Sequence, residues 1–290
     1  MSAGSESGAA WGMSSMINTG MTIDALLQQA LLSPMEARIL LSHVLQLSRV
    51  QLITQGERVF GADEAQRLSD MFARRIKGEP IAYIVGEREF YGLEFHVTPD
   101  VLIPRPDTEL LVELALELMP KNGRVLDMGT GSGAIAIAVA HALPDVEVTA
   151  LDASAAALQI AQKNADRHRV HVSLVLSDWY AGLGNKRFDL IVSNPPYIVS
   201  GDPHLSQGDL HFEPLNALTD HGDGLQALRT IIADAASHLT DEGWLLLEHG
   251  YDQAQAVREL LAAQGFREVE SWLDLANIER VSGGKMCTRT

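Results

Sequence analysis

The apolar run of residues 188–193 is followed directly by Asn194, Pro195, Pro196 and Tyr197. The Asn194 side-chain oxygen and the Pro195 carbonyl are acceptors that could bind both hydrogens of a planar NH2 group. Such a nitrogen, in a carboxamide or on an adenine ring, is a poor nucleophile and must be held in line with an electrophile. The prolines restrict φ to about −65° and keep the acceptors in place, while the Tyr197 ring offers a flat face. We therefore predict that Asn194, Pro195 and Tyr197 are catalytic.

A glycine-rich loop with Gly129, Gly131 and Gly133 follows a strand-like run and precedes a helical one, as in nucleotide-binding folds. With Ala134 in the last place it also fits the dinucleotide pattern, so a nicotinamide-dependent oxidoreductase is an alternative. Asp127 separates the two hypotheses. Its carboxylate would repel a pyrophosphate at the helix N-terminus, whereas it would favour the ammonium of S-adenosylmethionine. We therefore predict that the loop binds S-adenosylmethionine.

Acidic residues also end the next two predicted strands. Asp152 stands about where a carboxylate would accept both hydroxyl groups of a ribose. Asp178 could hydrogen-bond an adenine amino group while the Trp179 ring packs on the base. Because ligands of such folds bind at the carboxyl edge of the sheet, we expect Asp127, Asp152 and Asp178 to lie along that edge.

Strands that alternate with helices must position these side chains. The alternation predicts an α/β fold with a Rossmann-like, doubly wound sheet that is covered on both faces. The strand-like runs are RVLDMG, VEVTALD, VHVSLVLSD, FDLIVSNPPY and GWLLLEHG, and a closing antiparallel pair is predicted at FREVESWLDL and ERVSGGKMC.

The N-terminal part has a different pattern. Residues 21–80 have the apolar spacing of short helices, which must pack as a small bundle to be stable. Residues 81–104 alternate around Gly92 and predict a β-hairpin linker. We place the catalytic domain at residues 105–290 and interpret residues 1–20, which lack the features of a secretory signal, as a flexible leader.

Four segments carry a family resemblance: GEPIAYIVGEREFYGLEFHVTPDVLIPRPDTELLVE, NPPYI, FEPLNALTDHGDGLQALR and LEHGYDQ. With the DMGTGSG loop they resemble the HemK/PrmC family, and the likeness covers nearly everything from residue 22 on. That family uses S-adenosylmethionine to methylate N5 of the glutamine in the Gly-Gly-Gln motif of peptide chain release factors. The resemblance implies a class I methyltransferase fold and this enzymatic activity.

The resemblance also implies ligand-binding residues. Those for the cofactor are Gly129, Thr130, Gly131, Ser132, Gly133, Asp152, Trp179, Asn194 and Phe90. Those for the substrate glutamine are Asn194, Pro195, Pro196 and Tyr197. The N-terminal helices would help to dock the release factor, and Glu213 and Pro214 would line the peptide groove. The IPRPDTE turn would approach the cofactor, where Asp107 and Thr108 can cap a helix whose N–H groups suit a carboxylate.

Composition narrows the class of partner. The 290 residues are 46% hydrophobic without a run long enough for a membrane span, so we expect a sizeable core and no membrane association. A net charge of −16 disfavours direct binding to nucleic acid. The single cysteine, Cys287, excludes an intramolecular disulfide and fits the cytoplasm. A monomer is the simplest expectation.

Acidic and histidine side chains are frequent after the NPPY segment, but their spacing fits no common metal site. We predict no metal and interpret them as solvated loop residues: Asp202, His204, Asp209, His211, Glu213 and His221. Three alternatives remain for the function. They are a glutamine methyltransferase of a large-subunit ribosomal protein, an adenine-N6 methyltransferase of nucleic acid, and a non-enzymatic protein that senses S-adenosylmethionine.

Overall fold

The computed structural model describes residues 17–287, so most of the predicted leader lies outside the described residues. The chain divides into two compact units, one ending at Gly86 and one beginning at Glu87. The sequence places this boundary earlier, after residue 80, and predicts a separate linker at residues 81–104. In the structure, residues 81–85 form the last helix of the first unit, and the hairpin belongs to the second.

The first unit is a bundle of short helices. Thr22, Ser33 and Ser48 precede three of them and cap their N-termini, each side chain accepting a backbone hydrogen bond. Ile23 and Leu40 are fully buried between the helices, and such packing supplies the stability that isolated helices of this length lack. The helices are α1 (Ile23–Gln29), α2 (Pro34–Leu45), α3 (Arg49–Thr54), α4 (Ala62–Ile76) and α5 (Ile81–Val85).

A two-stranded hairpin opens the second unit, as predicted. It pairs β1 (Glu87–Phe90) with β2 (Leu93–His96) in antiparallel register. Its turn residues Tyr91 and Gly92 have φ of 51° and 74°. Positive φ at both positions is the conformation that matches the twist of a tight hairpin, which explains the glycine in the second place.

A seven-stranded sheet forms the second unit, in the order β5-β4-β3-β6-β7-β9-β8. The first five strands of this order are parallel, and β9 pairs antiparallel with both β7 and β8. The strand order reverses beside β3, which confirms the predicted doubly wound sheet with an antiparallel closing pair. The strands are β3 (Arg124–Met128), β4 (Glu147–Asp152), β5 (Ser173–Leu176), β6 (Phe188–Ser193), β7 (Leu239–Glu248), β8 (Arg267–Leu273) and β9 (Glu279–Lys285).

Helices cover both faces of this sheet. Alternate residues of one strand belong to different cores: Val125 joins one cluster, and Leu126 joins the other. Both are at most 1% exposed, which explains why the parallel strands read as continuous apolar runs. The helices are α6 (Glu109–Leu118), α7 (Ala134–Ala142), α8 (Ala155–His168), α9 (Leu215–Leu218), α10 (Gln226–His238) and α11 (Ala254–Ala263). Among the described residues, no helix has the length and apolar character to cross a membrane.

Candidate active site

The register of the parallel strands brings the predicted site residues to one edge of the sheet. Met128 at the end of β3 is level with Leu151 of β4 and with Ser193 of β6. The Ser193 hydroxyl donates a hydrogen bond of 2.7 Å to the Met128 carbonyl. The glycine loop that follows Met128 and the NPPY segment that follows Ser193 therefore begin side by side.

The glycines of the loop have two different roles. Gly129 and Gly131 have φ of 73° and 55°, and a Cβ atom at either would meet nothing within 4 Å. A Cβ at Gly133 would lie 2.8 Å from Cδ1 of Ile137 and 3.2 Å from Cβ of Ala161. The first two therefore leave open space against the backbone for a ligand, whereas Gly133 allows α7 and α8 to pack closely.

Most of the loop N–H groups already have partners. Those of Gly129 and Thr130 both donate to the Leu151 carbonyl at 2.9 Å. That of Gly131 donates to Oδ2 of Asp152 at 2.9 Å. A phosphate cradle needs free backbone donors, and the loop does not offer these three.

The carboxyl group of Asp127, a residue of β3, lies at the N-terminus of α7. Its Oδ2 accepts hydrogen bonds from the Thr130 hydroxyl at 2.6 Å and from the Ala136 N–H at 3.2 Å. Its Oδ1 is buried without a hydrogen-bond partner in the described part of the chain. Burial raises the pKa of Asp127 to about 7. A carboxyl group with an unused oxygen in this position favours a cationic ligand and disfavours a pyrophosphate.

The acids on the neighbouring strands differ in exposure. Asp152 is half-buried, and its Oδ1 accepts the Ser154 N–H at 2.8 Å. Burial raises the pKa of Asp152, and backbone hydrogen bonds oppose this effect. Asp178 is exposed, and Trp179, at φ 45°, packs partly against the core. The expected row of Asp127, Asp152 and Asp178 thus follows the ends of β3, β4 and β5.

The NPPY segment is held by contacts of its first and last residues. Nδ2 of Asn194 donates a hydrogen bond of 3.0 Å to Oγ1 of Thr108. The Tyr197 hydroxyl donates to Oε1 of Glu248 at 3.2 Å. Burial raises the pKa of Tyr197, and the nearby Glu248 adds to the effect, so the phenol stays protonated. Pro195 is buried between these anchors.

The segment after β7 fixes the Tyr197 backbone. Nε2 of Gln253 donates to the carbonyls of Tyr197 and Gly224, at 3.0 and 3.2 Å. A Cβ atom at Gly224 would lie 2.4 Å from the Tyr197 carbonyl oxygen, and its φ is +77°. The Ile198 N–H continues the connection by donating to Leu218 at 2.9 Å. The NPPY loop is therefore stiff because neighbouring loops hold it, in addition to its prolines.

Glu248, at the end of β7, is a site residue that the sequence analysis missed. It is 2% exposed, and its Oε2 has no hydrogen-bond partner within residues 17–287. Burial raises the pKa of Glu248 to about 7, while hydrogen bonds from Thr108 and Tyr197 act against this rise. The position after the LLL run, at the same edge as the other strand ends, was the signal that could have identified it.

Asn164 was also missed. Its side chain is fully buried and donates to the carbonyls of His96 and Ser132, at 3.0 and 2.8 Å. Its Oδ1 accepts the His96 N–H at 2.7 Å. The asparagine thus ties the hairpin to the glycine loop. The signal in the sequence was an amide on the otherwise apolar face of α8.

Several predicted roles differ from the geometry. Thr108 precedes α6, but its side chain makes no capping hydrogen bond, since it contacts Asn194 instead. Glu213 does not line an open groove: its side chain is 0% exposed and forms an ion pair with Arg105. That carboxylate also accepts the Ile103 N–H at 3.0 Å, so Glu213 holds the IPRP turn in place.

Three of the side chains that the family resemblance implies at the cofactor are buried. Phe90 is 1% exposed and packs edge-on against Phe95, with ring centroids 6.1 Å apart. The ring therefore offers a ligand almost no surface. Thr130 and Ser132 are 6% and 3% exposed, so their side chains also offer a ligand little surface.

The histidines after the NPPY segment contact neighbouring polar groups. Nδ1 of His204 lies 2.7 Å from Asp202, and Nε2 of His221 lies 2.9 Å from Oδ1 of Asn216. Within residues 17–287, no group of three or more histidine, cysteine or acidic side chains is arranged to hold a metal ion. Cys287 lies 3.1 Å from Glu242, to which its thiol donates.

Comparison with known proteins gives matches along nearly the whole chain. Two family models match, the PrmC N-terminal domain at residues 23–86 and the Methyltransferase small domain at residues 106–208. The release factor glutamine methyltransferase of Burkholderia pseudomallei is 54% identical over 91% of this chain and 96% of its own length. That of Neisseria gonorrhoeae is 50% identical, over 91% of this chain and 98% of its own.

A solved structure supports the fold. The crystal structure of a methyltransferase from Pyrococcus furiosus matches with a TM-score of 0.54 at 18% identity, covering 76% of this chain and 100% of that one. At this identity the likeness concerns the arrangement of strands and helices alone.

Proposed function

The chain belongs to the family of release factor glutamine methyltransferases, and from this we propose its substrate and the roles of its residues. The enzyme transfers a methyl group from S-adenosylmethionine to N5 of the glutamine in the Gly-Gly-Gln motif of peptide chain release factors. The observation that carries this proposal is the orientation of Asn194. Its Nδ2 is bound by Thr108, which leaves the Oδ1 acceptor for a substrate amide.

The residues at the sheet edge fit the chemistry of the cofactor. S-adenosylmethionine supplies, when bound, an electrophilic methyl group on a sulfonium. Asp127 has an unused buried oxygen, which suits the ligand's ammonium either directly or through a water. Gly129 and Gly131 leave room against the loop, and Asp152 stands at the strand end where ribose hydroxyls would be accepted. We assign Asp178 and Trp179 to the adenine.

A dinucleotide would fit the same loop less well. The Asp127 carboxyl group already occupies the N-terminus of α7, and it accepts the Ala136 N–H there. When ionised, it would repel a pyrophosphate across a short distance in a buried setting. The geometry thus supports the choice of S-adenosylmethionine that Asp127 suggests from sequence.

The substrate glutamine is held by acceptors in our proposal. Asn194 Oδ1 and the Pro195 carbonyl accept the two amide hydrogens, and the Tyr197 ring packs on the amide plane. Both acceptors are anchored, so little reorganisation accompanies the reaction. In the transfer the amide nitrogen would gain the methyl group as the bond between that group and the sulfonium breaks, which would leave S-adenosylhomocysteine. The N–H becomes acidic as the new bond forms, and its proton would pass to water.

The first unit offers a surface for the protein substrate. Val50 and Ile53 lie one turn apart on α3 and are 68% and 76% exposed, and Leu31 and Met35 are each 64% exposed. Large apolar side chains that are exposed together mark protein contacts more often than isolated ones do. We assign release factor docking to the exposed apolar side chains of the first unit, which we call the apolar surface: Leu31, Met35, Val50 and Ile53. A monomer in the cytoplasm, without direct nucleic-acid binding, remains our prediction.

A transfer assay with methyl-labelled S-adenosylmethionine tests the function. The enzyme is incubated separately with a release factor, the same factor with its motif glutamine replaced by alanine, a large-subunit ribosomal protein, and duplex DNA. Label is expected in the unmodified release factor alone. Label in DNA or in the ribosomal protein, without label in the release factor, would overturn the assignment.

A further inference from the structure

We propose that Glu248 is a positioning residue: through Thr108 it determines which end of the Asn194 carboxamide faces the substrate. The inference rests on the proposed function, since it concerns how the Asn194 oxygen becomes available as an acceptor. It adds a role for a buried carboxyl group that the binding of the cofactor and of the glutamine does not otherwise use.

The orientation of an asparagine side chain is set by its partners. The oxygen and the NH2 group of a carboxamide are nearly equal in size, so only hydrogen bonding distinguishes the two ends. In the structure, Nδ2 of Asn194 lies 3.0 Å from Oγ1 of Thr108, and the amide donates. This single contact directs Oδ1 away from Thr108.

Thr108 can accept from Asn194 because its own hydrogen has another destination. Thr108 is 5% exposed, and its hydroxyl acts on the Glu248 carboxyl group as a hydrogen-bond donor that lowers the pKa of that group. An ionised carboxylate can only accept, so the Thr108 hydrogen must point to Glu248. The lone pairs of the hydroxyl are then left for the Asn194 amide. The negative charge of Glu248 therefore sets the direction of both hydrogen bonds.

Protonation of Glu248 removes this constraint. A carboxylic acid can donate to Thr108, and the threonine hydrogen can then turn to Asn194. When Thr108 donates its hydrogen, Asn194 favours the orientation in which Oδ1 accepts it. Nδ2 then faces the substrate. There Nδ2 would meet the hydrogens of the glutamine amide, donor against donor. Loss of the charge thus removes an acceptor from the substrate site and replaces it with a repulsive contact.

The same carboxylate holds the other end of the NPPY segment. The Tyr197 hydroxyl donates to Oε1 of Glu248 at 3.2 Å. Since Tyr197 stays protonated, it is a donor at every pH of interest. Glu248 therefore accepts from both Thr108 and Tyr197, and a neutral side chain of the same size presents a donor at one end.

The charges around Glu248 place its titration near neutrality. The pKa of Glu248 is raised to about 7: burial is the largest cause and Asp107 adds to it, whereas the two hydroxyl donors and Arg280 oppose the rise. Arg280 is itself engaged by Asp274 at 3.1 Å and by Asp107 at 3.5 Å. His249, next in the chain, contacts the Ser282 hydroxyl at 2.7 Å, and burial lowers its pKa, so it stays neutral.

The test compares Glu248→Gln with Asp189→Asn in the full-length enzyme. Both variants convert an acid to its amide. Asp189, however, lies at the end of β6 away from the NPPY segment, where it accepts hydrogen bonds from the Arg124 N–H and the Thr240 hydroxyl. The measurement is kcat between pH 5.5 and 9, at saturating S-adenosylmethionine and release factor, with cofactor Kd from calorimetry. Wild type and Asp189→Asn should lose turnover as pH falls through about 7. At pH 8, Glu248→Gln should have a kcat at least about tenfold below that of wild type. It should also lack the acid limb, that is, the decrease of kcat at low pH. Its cofactor Kd should stay within about threefold of the wild-type value.

Thr108 provides an independent arm. Thr108→Val removes the hydroxyl at nearly constant volume and should lower kcat by about tenfold or more, whereas Thr108→Ser should recover most of that loss. Combined with Glu248→Gln, Thr108→Val should add less than about twofold, because both act through one chain of hydrogen bonds. If Glu248→Gln does not fold, the threonine pair decides.

Two outcomes overturn the inference. One is a folded Glu248→Gln enzyme that keeps both wild-type kcat and the acid limb, and the other is a Thr108→Val enzyme with wild-type kcat. Either would leave the proposed function intact, because wild type would still methylate the release factor. Failure of wild type to do so would count against the proposed function instead.

Discussion

At the scale of single residues, the proposed site depends on the direction of hydrogen bonds. In our proposal Asn194 contributes an acceptor because its NH2 group donates to Thr108. The carboxyl groups of Asp127 and Glu248 are both buried, and each has one oxygen without a partner in the described residues. Such groups are rare in folded proteins and are expected where a ligand or a polarised contact is to be made.

Asn194→Ala is expected to separate binding from turnover. It removes one acceptor for the substrate amide, so kcat should fall by at least about 10², as for the loss of one preorganised electrostatic partner. Cofactor affinity should remain within about tenfold, because the glycine loop and Asp127 are unchanged. Single-turnover rates and calorimetric Kd values measure the two effects. Retained turnover would show that Asn194 has no such role.

Asp127 should make the stability of the ligand-free protein depend on pH. Burial raises its pKa from 3.8 to about 7, so the folded state holds this proton more tightly than the unfolded state. The stabilising contribution is present in full below the unfolded pKa and is lost as pH rises through about 7. Glu248 contributes in the same direction.

Urea unfolding of wild type and Asp127→Asn at pH 5 and pH 8 tests this expectation. The free energy of unfolding of wild type should decrease more between the two pH values than that of the variant. Equal decreases would mean that Asp127 titrates at its ordinary pKa. Added S-adenosylmethionine should stabilise wild type more at pH 8 than at pH 5, because its ammonium pairs with the ionised carboxylate.

At the scale of elements, the glycines of the loop have two separate roles: one allows helices to pack closely, and the others leave space for a ligand. Gly133→Ala should destabilise the protein more than Gly265→Ala. Both positions have positive φ, 84° and 86°, but only at Gly133 would a Cβ meet neighbours: Cδ1 of Ile137 at 2.8 Å and, on α8, Cβ of Ala161 at 3.2 Å. The backbone strain of each change costs about 1 kcal/mol, and the clash adds about 1–3 kcal/mol at Gly133. Thermal unfolding measures the difference, and equal losses would argue against the close packing of α7 on α8.

Gly129→Ala is expected to act on the ligand instead of the fold. Its φ is 73° and a Cβ there meets no protein atom within 4 Å. The loss of stability should therefore match that of Gly265→Ala. The affinity for S-adenosylmethionine should nevertheless fall by about tenfold or more, because the methyl group occupies space that the ligand needs. Unchanged affinity would place the cofactor elsewhere.

The elements themselves could be predicted from sequence because their signals are local. Apolar runs, a glycine loop between strand and helix, and the positive-φ turn at Gly92 each lie within a few residues. The partners of the site residues could not be predicted in this way. Thr108 and Asn194 are 86 residues apart, and Asn164 and His96 are 68 apart. Such pairs depend on strand order and register, which no local pattern encodes.

At the scale of the whole molecule, docking and chemistry are assigned to different units. We expect Val50→Ser with Ile53→Ser to raise KM for the release factor by about tenfold, because the change removes apolar area from the proposed apolar surface. Cofactor Kd should not change. Leu275→Ser is a matched control, since Leu275 is fully exposed in the second unit. A release factor KM that stays at the wild-type value in the double variant would remove the docking assignment.

Whole-chain properties also show what sequence could and could not provide. The net charge of −16 disfavours nucleic acid as a substrate, and the family resemblance covers the chain from residue 22 on. Burial, however, changes individual roles. Phe90 and Glu213, both expected at ligands, are 1% and 6% exposed. A pattern of residue types does not show which polar or aromatic side chains the final packing encloses.

The central claim is that Asn194 presents its oxygen to the glutamine amide. A crystal structure of the enzyme with S-adenosylhomocysteine and a release factor domain, at a resolution that distinguishes amide orientation by its partners, tests it directly. We predict that the glutamine nitrogen lies within about 3.2 Å of both Asn194 Oδ1 and the Pro195 carbonyl, with Nδ2 of Asn194 still on Thr108. An Asn194 side chain that turns away from the bound glutamine, or a glutamine seated at another edge of the sheet, would contradict the account.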